Sequence, residues 1–305
     1  MINKQKNFFC SSDAKKENDS LIGTASFYSK LLLIEYSEPM GSEAFENSNI
    51  PENTKNCINL YGKDNPELRV LLIRNEFSND TKISIFALTV NIGNNIFNHH
   101  NVSSYSEINI DLLNDLFSDT SIYKYSNPMY LICTNGKKDK CCSKFGLPIY
   151  KYFSNIKPNL SWQCSHIGGD RFAPTALILP SFANYGHIEE SDVLKIINCE
   201  NEGNLYIPKL RGKSNNNFYE QAADCLLRKK YKIYKDTDIE IINSFPIDTN
   251  IHAVRLNTNF NGTNKLINVK VIKNKSEYFN YMDCETDTKS YSSVYKILEE
   301  VNESE

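Results

Sequence analysis

Two cysteines and a histidine are the residues of this sequence best suited to hold a metal. Cys133 and Cys142 flank the polar segment 134–141, and a later segment reads Cys164-Ser-His-Ile-Gly-Gly-Asp170, with His166 just before two glycines. Thiolate and imidazole are the ligands by which proteins hold transition metals and iron–sulfur clusters. The glycines permit a close backbone approach to a bulky centre. The sequence therefore indicates a metal or iron–sulfur centre.

The elements predicted around the two cysteines favour a shared site. Cys133 lies in a predicted strand, Met129–Thr134, and Cys142 directly precedes a predicted helix, Ser143–Asn155. A ligand at the end of a strand and one at the start of the next helix face the same crevice. The N–H groups of a helix N-terminus lower the pKa of nearby thiols, which favours metal ligation.

Other thiol chemistry is less well supported by the spacing. Cys141 and Cys142 are adjacent, so the Cys-x-x-Cys dithiol of thioredoxin type is absent. A zinc ion held by Cys133, Cys142, Cys164 and His166 is a chemically sound Cys₃His set and stays open as an alternative.

Alternating strand and helix patterns predict an α/β protein. Ser29–Tyr36 is a near-continuous apolar run, typical of a buried strand, and a short helix at 52–62 precedes strands at Arg69–Arg74 and Lys82–Val90. This order predicts a small α/β domain that ends near residue 125.

The remaining patterns predict a second α/β domain and a β-rich end. After the strand and helix that carry the cysteines come strands at Ser161–Ser165, Ala176–Leu179 and Tyr185–Ile188, and a helix at Asn217–Lys230. This order is typical of thioredoxin-type domains. Three further segments alternate as antiparallel strands do. They are Ile239–Ser244, Ile251–Leu256 and Lys265–Ile272.

We therefore predict four parts along the chain. They are a flexible tail at 1–20, an N-terminal α/β domain at 21–125, a thioredoxin-like domain at 126–235 and a C-terminal β-rich segment at 236–305.

Composition limits the partners. The chain has 305 residues and a net charge of −3, so no global basic field recruits nucleic acid. Its apolar stretches are shorter than the ~20 residues of a membrane helix, and the N-terminus lacks a secretory pattern, so we expect a cytoplasmic protein. The cytoplasm is a reducing compartment, so we expect the nine cysteines to be buried thiols or metal ligands rather than partners in disulfides. The sequence assigns no role to Cys10 or Cys284.

The sequence resembles the sucrase/ferredoxin-like family, whose members are thioredoxin-fold 2Fe–2S proteins. The resemblance spans roughly residues 10–230 and is carried by an ordered set of motifs rather than by one. The matching segments are Cys133-Thr-Asn-Gly-Lys-Lys-Asp-Lys-Cys-Cys142, Trp162-Gln-Cys-Ser-His-Ile-Gly-Gly-Asp-Arg-Phe-Ala-Pro174, Leu177-Ile-Leu-Pro180 and Leu210-Arg-Gly-Lys213.

The resemblance implies a cluster held by two Cys and two His, with the histidines in the pattern His-x-Gly-Gly-His. Carried over, Cys133 and Cys142 would ligate one iron and His166 the other. The chain departs from the pattern at Asp170, which stands where the second His is expected.

Three interpretations of Asp170 stay open. Its carboxylate replaces the imidazole as a ligand, although it is a harder donor. Alternatively Cys164 supplies the ligand. Cys164 and His166 are two residues apart, and side chains at that spacing on a strand lie on the same face. In the third interpretation the fold persists without the cluster.

The activity implied by the resemblance is one-electron transfer with a redox partner protein. The sequence shows no convincing pair of carboxylates placed for glycoside hydrolysis, so the family name brings no prediction of a glycosidase. Two alternatives remain: a thioredoxin-fold protein with a zinc site, and a binding module that has lost its cofactor.

Overall fold

The computed structural model describes residues 8–77, 81–90, 95–260, 262–286 and 289–303. Its helices are α1 (Cys10–Lys16), α2 (Glu52–Asp64), α3 (Ile110–Leu116), α4 (Lys140–Ile156), α5 (Glu190–Asn201) and α6 (Phe218–Tyr231). Its strands are β1 (Lys30–Glu35), β2 (Leu68–Arg74), β3 (Ile83–Thr89), β4 (Ile96–Val102), β5 (Met129–Cys133), β6 (Ser161–Cys164), β7 (Ala176–Leu179), β8 (Ala183–Tyr185), β9 (Leu210–Lys213), β10 (Ile239–Asp248), β11 (Ile251–Phe260), β12 (Thr263–Tyr281) and β13 (Lys289–Glu303).

The architecture is mixed α/β, as the sequence predicts. The contacts group the chain into two compact units, and each unit joins separate stretches of sequence. The central unit comprises Tyr28–Ile167 and Ala176–Pro180. The terminal unit comprises the described residues up to Phe27, Gly168–Thr175 and those from Ser181 onwards. The four-part division of the chain stays a prediction.

In the central unit seven strands lie side by side in the order β4-β3-β1-β2-β6-β5-β7. Parallel pairing joins β1 to β2 and β5 to β6, and the other neighbours pair antiparallel. Every residue of Met129–Cys133 is buried, because β5 lies inside the sheet and its near-continuous apolar sequence can be covered on both faces.

In the terminal unit α6 packs on the antiparallel sheet β10-β11-β12-β13. Buried side chains on β12 recur at every second residue, and they meet Ala222, Ala223 and Leu227 of the helix. They are Ile267, Val269 and Val271. Asn217 caps α6 through a reciprocal hydrogen-bond pair with Glu220, which explains why the helix begins at Phe218.

Most predicted elements are found within a few residues of their predicted bounds, and α1, with Cys10 and Ala14 buried, lies within the predicted tail at 1–20. One predicted strand is misplaced. The strand predicted at Tyr185–Ile188 lies earlier, at Ala183–Tyr185, and His187 after it adopts a positive φ of 49°. Short apolar stretches do not fix an element's ends, so tertiary contacts decide them. No helix in the described part of the chain is long and apolar enough to cross a membrane.

A carboxyl group in α5 predicts a pH dependence of stability. Burial, together with the negative charge of Asp236, raises the pKa of Glu200 from 4.5 to about 7. Because the folded state holds this proton more tightly than the unfolded state, the stabilisation is complete below about pH 4.5 and is lost as the pH rises through about 7.

We expect Glu200→Gln, which mimics the protonated carboxyl, to gain stability relative to the wild type between pH 4.5 and 7. The gain is on the order of 3 kcal/mol at most and should be measured by urea unfolding at a series of pH values. Glu202→Gln changes an exposed position at the end of the same helix and is the control. Its difference in unfolding free energy from the wild type should vary much less with pH than that of Glu200→Gln. If the difference for Glu200→Gln does not vary with pH either, the raised pKa of Glu200 is contradicted.

Candidate metal centre

Three ligand atoms converge in the central unit. Cys133 Sγ, Cys142 Sγ and one ring nitrogen of His166 all lie within 4.8 Å of one another. His166 Nδ1 is 3.9 Å from each of the two sulfurs. Both thiols are buried, whereas His166 is partly exposed. The arrangement is a compact soft-ligand site with one side towards solvent.

The parallel pairing of β5 and β6 brings Cys133 and His166 together. Cys133 is opposite Cys164 in the register, so the residues that follow both strands leave the sheet at the same edge. Ser165 continues beside β2, because its N–H donates to the Leu72 carbonyl at 2.8 Å. His166 is therefore delivered to the edge where Cys133 ends.

The start of α4 supplies the second thiol. Asp139 is the N-cap, and its carboxylate accepts a hydrogen bond from the Cys141 N–H at 2.7 Å. The Asp139 carbonyl accepts one from the Cys142 N–H at 3.0 Å. Cys142 therefore lies in the first helical turn, where the helix dipole favours negative charge on a side chain.

A helical glycine sets the distance between α4 and β5. A Cβ atom on Gly146 would lie 2.1 Å from the Cys133 carbonyl oxygen. Only a residue without a side chain allows the helix to approach the strand this closely. This contact holds the first turn of α4, with Cys142, against the end of β5.

The pKa values of the two neighbouring thiols of the sheet are shifted in opposite directions. The hydrogen bond with Cys142 lowers the pKa of Cys133 well below its ordinary value, and His166 acts in the same direction, although burial opposes both. Burial, with the negative charge of Cys133, raises the pKa of Cys164 well above its ordinary value. Cys133 is therefore set up as a thiolate, the form that binds metal, and Cys164 as a thiol.

The structure thus brings together Cys133, Cys142 and His166, three of the predicted site residues, and their binding of a metal stays a prediction. The group of three contains neither Cys164 nor Asp170. Asp170 opens a short 3₁₀ turn, Asp170–Phe172, in the terminal unit. The role of either residue as fourth ligand stays a prediction.

The glycine pair before Asp170 has a structural explanation within the terminal unit. Gly168 and Gly169 both have φ of 85°, in the left-handed region that favours glycine. A Cβ on Gly169 would lie 2.3 Å from Arg211 Nη2. Arg211 is fully buried, and its Nη1 donates to the Gly168 carbonyl at 3.0 Å and to Asn184 Oδ1 at 2.8 Å. The glycines therefore accommodate a buried guanidinium.

Sequence reasoning missed the charged residues that flank His166. Arg69 Nη2 donates to the His166 carbonyl at 3.1 Å. Glu43 forms an ion pair of 2.7 Å with Lys138, which lowers the pKa of Glu43, and the charges of Arg69 and His166 act in the same direction. Glu43 lies in a segment without periodic pattern, so no local signal could have placed it here.

Cys10 and Cys284, to which the sequence assigns no role, lie together in the terminal unit. Their sulfurs are 3.5 Å apart, and the Cys10 N–H donates to Cys284 Sγ at 3.3 Å. Both side chains are buried. No local pattern indicates a contact between residues so distant in sequence.

Comparison with known proteins gives one match. The family model described as "Sucrase/ferredoxin-like" matches residues 21–212. No curated protein and no solved structure matches the chain. The matched residues include Cys133, Cys142 and His166.

The close approach at Gly146 predicts an unusual cost of a small substitution. We expect Gly146→Ala to lower the free energy of unfolding by about 1–3 kcal/mol, because the added methyl group must displace the Cys133 carbonyl. Urea unfolding measures the change. Gly62→Ala is the matched control, since a Cβ there would meet only Leu68 Cδ2 at 4.0 Å. Gly62→Ala should leave the free energy of unfolding unchanged or raise it by up to about 1 kcal/mol through helix propensity. Equal effects of the two substitutions would refute the close approach at Gly146 as the cause.

Proposed function

The chain belongs to the sucrase/ferredoxin-like family, and from that membership we propose that it binds a 2Fe–2S cluster and transfers single electrons. The observation that carries the proposal is the convergence of two buried thiols and one imidazole nitrogen within 4.8 Å. Thiolates and histidines are the ligands of such clusters.

The three residues fit the cluster in chemistry. Cys133 and Cys142 would ligate one iron, since both lie in the buried part of the site and the pKa of Cys133 is lowered towards the thiolate form. His166 would ligate the second iron from the partly exposed side. The fourth ligand would be Asp170 or Cys164, and burial raises the pKa of the Cys164 thiol, which opposes its binding as a thiolate.

When bound, the cluster supplies a one-electron couple. The chain's part is to hold the ligands and to control access to them. Burial of Cys133 and Cys142 excludes water from both sulfurs, and histidine ligation raises the reduction potential above that of an all-cysteine cluster. Within the described residues, His166 is the one member of the group that is partly exposed.

We also infer a thioredoxin-like arrangement around the centre. In support, β5 and β6 are parallel and joined by α4, while β7 pairs antiparallel to β5 on its other side. A strand–helix–strand unit with parallel strands places ligand-binding residues at the carboxyl ends of those strands.

A single zinc ion is the second candidate, because the distances from His166 to the two sulfurs are also compatible with a mononuclear site. Zinc–sulfur bonds of ~2.3 Å and zinc–nitrogen bonds of ~2.0 Å in a tetrahedron separate the two ligand atoms by about 3.6 Å. His166 Nδ1 lies 3.9 Å from both sulfurs, close to that value. A Cys₃His site would need Cys164 as well, which must then lose the proton that burial favours.

Metal analysis separates the candidates. We expect protein purified without air to be brown and to contain about two irons and about two sulfides per chain. Cys133→Ser and Cys142→Ser should each lose most of the iron. Cys225→Ser, which changes a buried thiol of α6, should keep it. A colourless zinc-loaded protein supports the second candidate, and a colourless metal-free protein indicates a binding module that has lost the cluster.

Two further variants assign the fourth ligand. We expect Asp170→His to change the visible spectrum and to raise the reduction potential, because a neutral imidazole replaces an anionic carboxylate. Cys164→Ser should leave the spectrum unchanged. The reverse pattern assigns the position to Cys164. If both variants match the wild type, the proposed ligand set is wrong.

A further inference from the structure

Electrons can reach the proposed centre most directly beside His166. Cys133 and Cys142 are each only 1% exposed, whereas His166 is partly exposed. Electron transfer slows steeply with distance, so a partner must approach the surface where the shielding is thinnest. Among the described ligands of the central unit, that surface is the one at His166.

Two cationic side chains lie beside this surface, and a third lies in the loop between the two cysteines. The guanidinium of the exposed Arg69 donates to the His166 carbonyl at 3.1 Å. Lys138 pairs with Glu43, and the low pKa of Glu43 reflects the charges of Lys138, Arg69 and His166 together, so these groups share one electrostatic neighbourhood. Lys137 is exposed in the loop between the two cysteines.

The positive charge here is local and only partly neutralised. Glu43 offsets Lys138, but neither Arg69 nor Lys137 forms an ion pair with another residue in the described part of the chain. The whole chain carries a net charge of −3, so this face differs in sign from the molecule's average. Such a local field attracts anionic surfaces and orients them during encounter.

Lys137 also lines a recess. A cleft of about 410 Å³ in the central unit is lined by Met40, Arg74, Lys137 and their neighbours. It lies on the loop that connects Cys133 to Cys142 and includes Asn135 of that loop. An acidic side chain of a partner could enter it next to two cations.

We propose that Arg69, Lys137 and Lys138 form a docking face for an acidic protein that exchanges electrons with the centre beside His166. The proposal rests on the proposed function, and it adds the site of exchange and the charge of the partner. Attraction between opposite charges accelerates association chiefly at low salt, because ions screen exposed charges.

Small redox reagents of opposite charge test the face without a known partner. The protein is reduced with dithionite, and its oxidation by ferricyanide, an anion, and by tris(phenanthroline)cobalt(III), a cation, is followed by stopped flow. We expect the rate constant with ferricyanide to fall as ionic strength rises, and the rate constant with the cobalt complex to rise or stay level.

Charge reversal locates the effect. Lys137→Glu should lower the ratio of the ferricyanide to the cobalt rate constant by about 5-fold or more at low salt, and the difference should shrink at high salt. The ratio cancels any change in the reduction potential of the centre. Lys82→Glu is the matched control, since it reverses an exposed lysine at a separate cleft beside Trp162, near the start of β6. It should change the ratio little.

The outcomes separate the two proposals. A protein with no reducible centre overturns the electron-transfer function and the docking face together. A reducible centre whose ferricyanide rate rises with salt overturns the docking face alone. Equal effects of Lys137→Glu and Lys82→Glu also overturn it, because only the net charge would then matter. An unchanged visible spectrum in both variants shows that the centre is intact.

Discussion

The candidate centre depends on how closely α4 can approach the end of β5. Gly146 permits the helix backbone to lie against the Cys133 carbonyl, where a single added carbon would be 2.1 Å from that oxygen. This contact fixes the first turn of the helix and therefore the position of Cys142. The parallel pairing of β5 with β6 then brings His166 to the same edge. Each ligand is thus placed by backbone packing rather than by contacts among the ligands.

Electrostatics within the site follows from this packing. Burial alone would keep both Cys133 and Cys164 protonated, but only Cys133 has Cys142 and His166 as partners. These different environments lower the pKa of Cys133 and raise that of Cys164, although the two residues are opposite each other in the strand register. A site that favours negative charge in a buried position is suited to a cation. The exposed Arg69 beside His166 carries a positive charge, and a positively charged surface attracts anionic groups.

In the terminal unit, Gly168 and Gly169 meet a structural requirement that differs from the one predicted from the sequence. The glycines before Asp170 indicate room for a bulky centre, yet Gly169 is packed against the buried guanidinium of Arg211. Arg211 is costly to bury, and its hydrogen bonds to the Gly168 carbonyl and to Asn184 compensate for that cost. The two glycines therefore serve the fold, because they leave space for the buried guanidinium of Arg211.

The α/β class, most of the strands and helices, and the three converging residues could be predicted from the sequence, because apolar periodicity and the chemistry of thiol and imidazole are local properties. The folded structure was needed to show that the group of three contains neither Cys164 nor Asp170, that Arg69 and Glu43 flank His166, and that Cys10 contacts Cys284. These are contacts between residues far apart along the chain. Strand register and the approach of α4 set them, and neither leaves a local pattern in the sequence.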